Sequence, residues 1–210
     1  PNKLYMRQPI NGEWHHWTWS ETATQVRKMA AYLKSLDFPA NSKIATLSKN
    51  CAHWIISDLA IMMAGHVSVP LYPNLKAESI TQILEHSEAK LLFVGKLDDF
   101  ESMRPGVPED LPCIAFPFYS EEGYPVWDDL IKDVEPMTEN VVREPNELAT
   151  IIYTSGTTGM PKGVMHKFYN FSFATSNAVP LLGLATEERF FSYLPSVSYT
   201  HLTLPTTEAV

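Results

Sequence analysis

Two hydrophobic rhythms alternate along this chain, one of period near 3.6 and one of short continuous apolar runs, and together they predict helices threaded between buried strands. Residues 3–8 and 14–19 read as two short strands around Asn11-Gly12, a dipeptide that supplies the positive φ angles of a tight hairpin. Ser20 is placed to cap a helix reaching about Leu36. Its Val26, Met29, Ala30, Leu33 and Leu36 recur three and four apart, which leaves Arg27, Lys28 and Lys34 for solvent. Asp37-Phe38-Pro39 ends that helix. Residues 43–47 are β-prone. Asn50 is a suitable cap for a second helix over 51–64, where Trp54, Ile55, Leu59, Ile61 and Met62 spread around the circumference and require burial. Residues 66–71 read as a strand, 78–87 as an amphipathic helix with Ile80, Ile83 and Leu84 inward, and 91–94 as a strand without polar alternation. Continuous apolar strands between helices predict an α/β fold with a parallel-rich sheet covered by helices on both faces.

The stretch 98–147, rich in Pro, Asp and Glu, reads as a surface excursion with a short strand near 113–116 and a helix near 127–134, and without a domain boundary. A buried strand over 148–153, a helix over 167–182 and a strand over 189–194 follow. Composition narrows the function. The 45% hydrophobic and 19% charged content is that of a folded globular chain. Sixteen basic against 24 acidic residues, a net charge of −8, exclude nucleic acid or an anionic surface as the main partner. The most apolar stretch, 54–65, is interrupted by Ser57 and Asp58, so no transmembrane segment is predicted. Cys51 and Cys113 lack Cys or His neighbours at metal-ligand spacing and read as buried thiols in a reducing compartment. The opening Pro1-Asn2-Lys3 reads as a cut, because it carries neither an initiator Met nor a secretory signal. Residues 197–210 read as a non-native tail: Val197 to Thr206 match one frame of a transposase-based sequencing adapter, so they and His201 are set aside from fold and site reasoning.

One segment concentrates chemistry. Thr154-Ser155-Gly156-Thr157-Thr158-Gly159-Met160-Pro161-Lys162-Gly163 holds four hydroxyls, three glycines and one lysine in ten positions, between a predicted strand and a predicted helix. Glycines let backbone N–H groups converge, hydroxyls donate further hydrogen bonds, and the ammonium supplies positive charge, so the pattern points to a polyphosphate. It is not the Walker loop. Counting from Gly156, Pro161 replaces that motif's second glycine and Gly163 its Ser/Thr. A plain turn would need neither the hydroxyls nor the lysine.

With Tyr153 before it and Val164 after, this decamer resembles the Tyr-Thr-Ser-Gly-Thr-Thr-Gly-x-Pro-Lys-Gly-Val signature of the adenylate-forming (AMP-binding) enzymes. Ala64-Gly65, Val69-Pro70-Leu71-Tyr72-Pro73, His86-Ser87-Glu88-Ala89-Lys90, Trp17 to Glu21 and Arg189 to Pro195 are similar to stretches of the long-chain fatty-acyl-CoA synthetases. The resemblance implies that residues 1–196 are the front portion of the large N-terminal adenylation domain. It implies ATP, Mg2+ and CoA as cofactors and substrates: a fatty acid and ATP give acyl-AMP and pyrophosphate, then the CoA thiol displaces AMP. It further implies that Thr154, Ser155, Thr157, Thr158 and the amides of Gly156 and Gly159 contact phosphates, with Lys162 an electrostatic helper on a mobile loop. Catalytic residues and the acidic magnesium ligand are expected beyond this chain, so the chain alone is expected to be inactive. Where many members have Thr-His-x-Asn, this sequence has Lys167-Phe168-Tyr169-Asn170. The implied location is the cytoplasm, with peripheral association of the parent at the inner membrane left open. Activation of an aryl, amino or short-chain acid, or nucleotide binding without turnover, stay as alternatives.

Other polar residues read as ordinary. His15 and His16 lie among Trp14, Trp17 and Trp19 without further metal ligands at suitable spacing. His53, His66 and His86 fall on separate elements with no carboxylate or nucleophile nearby in sequence. Asp128-Asp129 and Glu121-Glu122 read as solvated surface. Ser155 lacks the Gly-x-Ser-x-Gly frame of a hydrolase nucleophile.

Overall fold

The computed structural model describes residues 1–154, 161–182 and 196. Strands β1 (Leu4–Ile10) and β2 (Glu13–Thr18) form the expected antiparallel hairpin, with Asn11 and Gly12 at φ of 51° and 86° in the turn. Helix α1 (Trp19–Ser35) is capped by Thr18 rather than Ser20. The Thr18 hydroxyl accepts from the Glu21 amide at 3.2 Å, and the Glu21 carboxylate accepts from the Thr18 amide at 2.8 Å. This reciprocal pair requires Glu three residues after the cap, which Thr18 has and Ser20, followed at that distance by Ala23, does not.

Six further strands make one sheet: β3 (Lys43–Leu47), β4 (Val67–Leu71), β5 (Leu91–Val94), β6 (Cys113–Ala115), β7 (Leu148–Thr154) and β8 (Lys162–Lys167), in the order β6-β5-β3-β4-β7-β8. Every neighbouring pair is parallel except β7 and β8. Helix α2 (Ala52–Met63) joins β3 to β4, and α3 (Ala77–Ser87) carries the chain back to the other side of β3. The two helices accordingly cover opposite faces. Ile44, Phe93 and Phe116 pack with α1 and α2, whereas Ala45, Val69, Leu92, Ile151 and Tyr153 pack with Ile80, Ile83 and Leu84 of α3. Strand residues are buried on both sides, the reason their sequence shows no alternation. No helix among the described residues is long and apolar enough to cross a membrane.

Three expectations are corrected. Residues 98–147 are more than a surface excursion: β6 extends the sheet, and Trp127, at the start of α5 (Trp127–Ile131), is fully buried against Phe93 and Phe116. Helix α4 (Phe100–Met103), which the pattern did not predict, buries Phe100 and Met103 on the α3 side. Arg27 and Lys28 are not left to solvent. Arg27 donates to the Met137 carbonyl at 2.7 Å, and Lys28 donates to the carbonyls of Ile131 and Lys132 at 3.2 and 3.0 Å, fastening this segment to α1. The cap of α2 is Cys51, whose side chain makes no capping bond; Asn50 instead accepts through Oδ1 from the amide of Ser196 at 2.7 Å. Both cysteines are buried free thiols. The predicted strand at 189–194 lies outside the described residues.

Arg143 joins the second half to the first. Its guanidinium donates to the Met62 carbonyl at 2.8 Å, pairs with Glu147 and stacks over the Phe168 ring at 5.0 Å, tying the end of α2 to the entrance of β7 and to α6 (Phe168–Leu182).

His53 of α2 is buried among the rings of Trp17, Phe116 and Trp127, with the Gln25 side-chain oxygen 3.2 Å away. Burial pushes its pKa from 6.5 down to about 4. The unfolded chain takes up this proton first as pH falls. His53 therefore contributes stability that is fully present above pH 6.5 and is lost between there and about pH 4, on the order of 3 kcal/mol. Burial acts in the same direction on His66, where Arg143 adds to it, and on His166. Urea titrations at pH 7 and pH 4.5 should show a smaller loss of midpoint in His53→Leu than in the native sequence; equal losses would remove the assignment.

Candidate functional site

Strand β7 is buried from Ala149 to Tyr153 and emerges at Thr154, at the carboxyl edge of the parallel strands, the edge at which open α/β sheets bind ligands. The chain returns as β8, antiparallel to β7, in the register Thr154↔Lys162, Tyr153↔Gly163, Ile152↔Val164 and Thr150↔His166. The glycine- and hydroxyl-rich segment therefore connects a β-hairpin, not a strand to a helix as the sequence pattern predicted. The sequence pattern predicts no element over residues 162–166, because Val164 is the one β-branched residue there and Gly163 weakens a strand reading, and Lys167, expected to open the following helix, is instead the last residue of β8.

Thr154 and Lys162 are direct cross-strand partners, and both are exposed. Opposed Cβ atoms in such a pair lie about 5 Å apart, which puts a hydroxyl and an ammonium side by side at the base of the connection. Side chains alternate across a strand, so this pair faces away from α3, the side to which Ile151 and Tyr153 point. Lys162 is the first residue of β8 rather than part of a mobile loop. Ser155, Gly156, Thr157, Thr158 and Gly159 lie outside the described residues.

Behind the pair, the α3 side is closed tightly. Tyr153 is buried, and its hydroxyl shares a 2.7 Å hydrogen bond with Nδ1 of His86, in the last turn of α3. Burial raises the pKa of the phenol, keeping it protonated. A methyl group at Gly163 would stand 2.8 Å from Cγ2 of Ile151 and 3.2 Å from Cζ of Tyr153. The glycine in the Lys162-Gly163 pair is thus required first by the Ile151 side chain and then by the Tyr153 ring opposite it. Neither relation was visible in the sequence, because His86 and Tyr153 are far apart along the chain and nothing local marks them as partners.

Elsewhere the described surface suits phosphate less well. An open groove of about 410 Å³ at the end of α3 carries Glu85, Glu88 and Asp110 against Lys90, a net acidic lining. No group of three or more His, Cys, Asp or Glu side chains able to hold a metal ion occurs among the described residues. His15 packs on Phe118 at 4.9 Å. Asp128 and Asp129 are exposed, whereas Glu121 pairs with Arg104 at 3.3 Å.

A mostly parallel six-stranded sheet with helices on both faces and an antiparallel hairpin at its edge is an α/β fold of the open-sheet class. The sequence profile of the AMP-binding enzymes matches residues 1–205, and the chain belongs to that family. It is 30% identical over 204 residues to the long-chain-fatty-acid–CoA ligase heimdall of Drosophila melanogaster, covering 88% of this chain and 30% of that protein. It is 32% identical over 193 residues to the 2-succinylbenzoate–CoA ligase of Bacillus licheniformis, covering 89% of this chain and 36% of that one. Among solved structures, the acetoacetyl-CoA synthetase of Streptomyces lividans shares the fold with a TM-score of 0.76 at 23% identity, over 90% of this chain and 31% of that chain. The chain spans about a third of the length of these relatives.

Gly163→Ala should lower the urea midpoint by the equivalent of about 1–3 kcal/mol, the usual cost of forcing a methyl group into a packed interior. A midpoint unchanged from the native sequence would show that the Ile151 side chain and the Tyr153 ring yield freely.

Proposed function

We propose that this chain is the phosphate-gripping front part of an acid–CoA ligase that activates a long-chain fatty acid with ATP, and that the hairpin at 154–162 holds the nucleotide's departing end. The observation that carries the reading is the complete family signature from Tyr153 to Val164, with Thr154 and Lys162 opposed at the sheet's carboxyl edge. Attack of a carboxylate oxygen on the α-phosphorus breaks the bond to the β-phosphate bridging oxygen and releases pyrophosphate. Charge grows on the β and γ oxygens as that bond lengthens. The Thr154 hydroxyl donates a hydrogen bond and the Lys162 ammonium offers a cation where that charge develops, with Ser155, Thr157, Thr158 and the amides of Gly156 and Gly159 completing the cradle. These donors fit phosphate oxygens. The described residues offer no carboxylate set for Mg2+, so this reading routes no step through the ion. CoA enters as the thiol acceptor of the acyl group.

Long-chain specificity is supported by the name of the Drosophila relative and by that of the Arabidopsis thaliana long chain acyl-CoA synthetase 5, 28% identical over 223 residues. The 2-succinylbenzoate ligase, at a similar identity, favours a second reading in which the acid is aryl-substituted. The small-molecule reaction suits the cytoplasm, and a net charge of −8 gives no support to attachment at an anionic inner-membrane face.

In the full-length enzyme carrying this chain, combined Thr154→Ala, Thr157→Ala and Thr158→Ala should reduce carboxylate-dependent ATP–pyrophosphate exchange by about a hundredfold or more, as expected for loss of several donors to a developing charge. Unchanged exchange would overturn the role of the hairpin. The same assay run across fatty, aryl and short-chain acids selects the substrate class; a preference for an aryl acid would replace the long-chain reading.

A further inference from the structure

Resting on the adenylation reading above, we propose that Tyr153 and His86 are a positioning pair that fixes the phosphate hairpin on α3, so that Thr154 and Lys162 meet ATP in one set orientation. Tyr153 immediately precedes Thr154 and points to the opposite face of the sheet. Its ring is covered on the strand side by Gly163, its cross-strand partner, and its hydroxyl meets Nδ1 of His86 at 2.7 Å. The imidazole also stands edge-on to the phenol, with ring centroids 5.7 Å apart and planes at 87°.

His86 itself is exposed, so it is not placed by general burial; what it contacts is the end of a buried phenol one residue from the phosphate site. The helix that carries it is held from the other direction. Ile80, Ile83 and Leu84 lie in the core, and Thr81 donates to the Gly106 carbonyl at 3.0 Å. The end of β7 is therefore anchored to a fixed helix on one face, while Thr154 and Lys162, both exposed, lie on the other. A strand end without this anchor keeps its ladder to β8 but is free to twist, which would misplace the two donors without dissolving the fold.

Tyr153→Phe keeps the ring against Gly163 and deletes only the hydroxyl. In the full-length enzyme it should raise KM for ATP in pyrophosphate exchange about fivefold, the value of one modest hydrogen bond, with kcat changed less than about twofold. His86→Ala, on an exposed residue, should reproduce that effect with an unchanged melting temperature. The double variant should be no worse than either single one. His86→Gln, whose amide oxygen can accept from the phenol, should restore most of the affinity. An unchanged KM in both single variants, or effects that multiply in the double variant, would overturn the pairing. The triple threonine variant separates the two ideas. If it abolishes exchange while Tyr153→Phe and His86→Ala do nothing, only the positioning role falls; if it leaves exchange intact, the adenylation reading falls first.

Discussion

The antiparallel pairing of β7 with β8 is the constraint on which the rest of this molecule's chemistry depends. All other neighbours in the sheet are parallel, and their connections pass over a face through a helix or loop. Reversing direction once, at the edge, lets the chain leave β7 and return beside it without a crossover. Thr154 and Lys162 then become cross-strand neighbours by register alone, with no tertiary contact needed to bring them together. The register is well specified because a slip by one residue would turn Tyr153 and Ile151 away from α3 and drive the polar pair toward it.

A hairpin at a sheet edge needs a firm support, and here the support is built from both sides of the sheet. On the α3 side the apolar ends of β7 share a core with α3 and α4. On the other side α1 and α2 cover the central strands, and the segment after β6 is clamped to α1 by Arg27 and Lys28. Arg143 then links the end of α2 to Glu147, one residue before β7 begins. These cations carry no ligand chemistry. Each satisfies backbone carbonyls that an irregular segment would otherwise leave without donors, and in doing so fixes where the next strand starts.

The strands β3, β4, β5 and β7 were legible in the sequence because a strand covered on both faces is predominantly apolar, broken here only by small hydroxyl residues such as Thr46, Ser68 and Thr150 that are themselves buried. The helices α1, α2 and α3 were legible from their spacing. The hairpin's return strand was not, since the residues of β8 show no apolar run and its burial comes from Gly163 and His166, neither a strand marker. The fate of Arg27 and Lys28 was hidden for another reason: a cation on the polar face of an amphipathic helix looks the same in sequence whether it meets water or a carbonyl from a segment a hundred residues away. At the site, residue types suggested a ligand chemistry, but the sequence placed Lys162 in a loop where the structure puts it in a strand, opposite Thr154.

That placement changes how the connection itself should be understood. Residues 155–161 are seven positions joining two paired strands, where a plain hairpin needs about two to five. A longer connection between well-registered strands lengthens the chain whose ends must be held together, which a merely structural turn has no reason to do. Its composition runs against the rest of the molecule as well. In a chain with 24 acidic residues, the ten positions from Thr154 to Gly163 contain none, while they hold a lysine and four hydroxyls. Excluding carboxylates from a segment rich in small donors removes like-charge repulsion toward an anion. Length, register and the absence of acids are separate features, and the proposed anionic ligand at the sheet's carboxyl edge would account for all three.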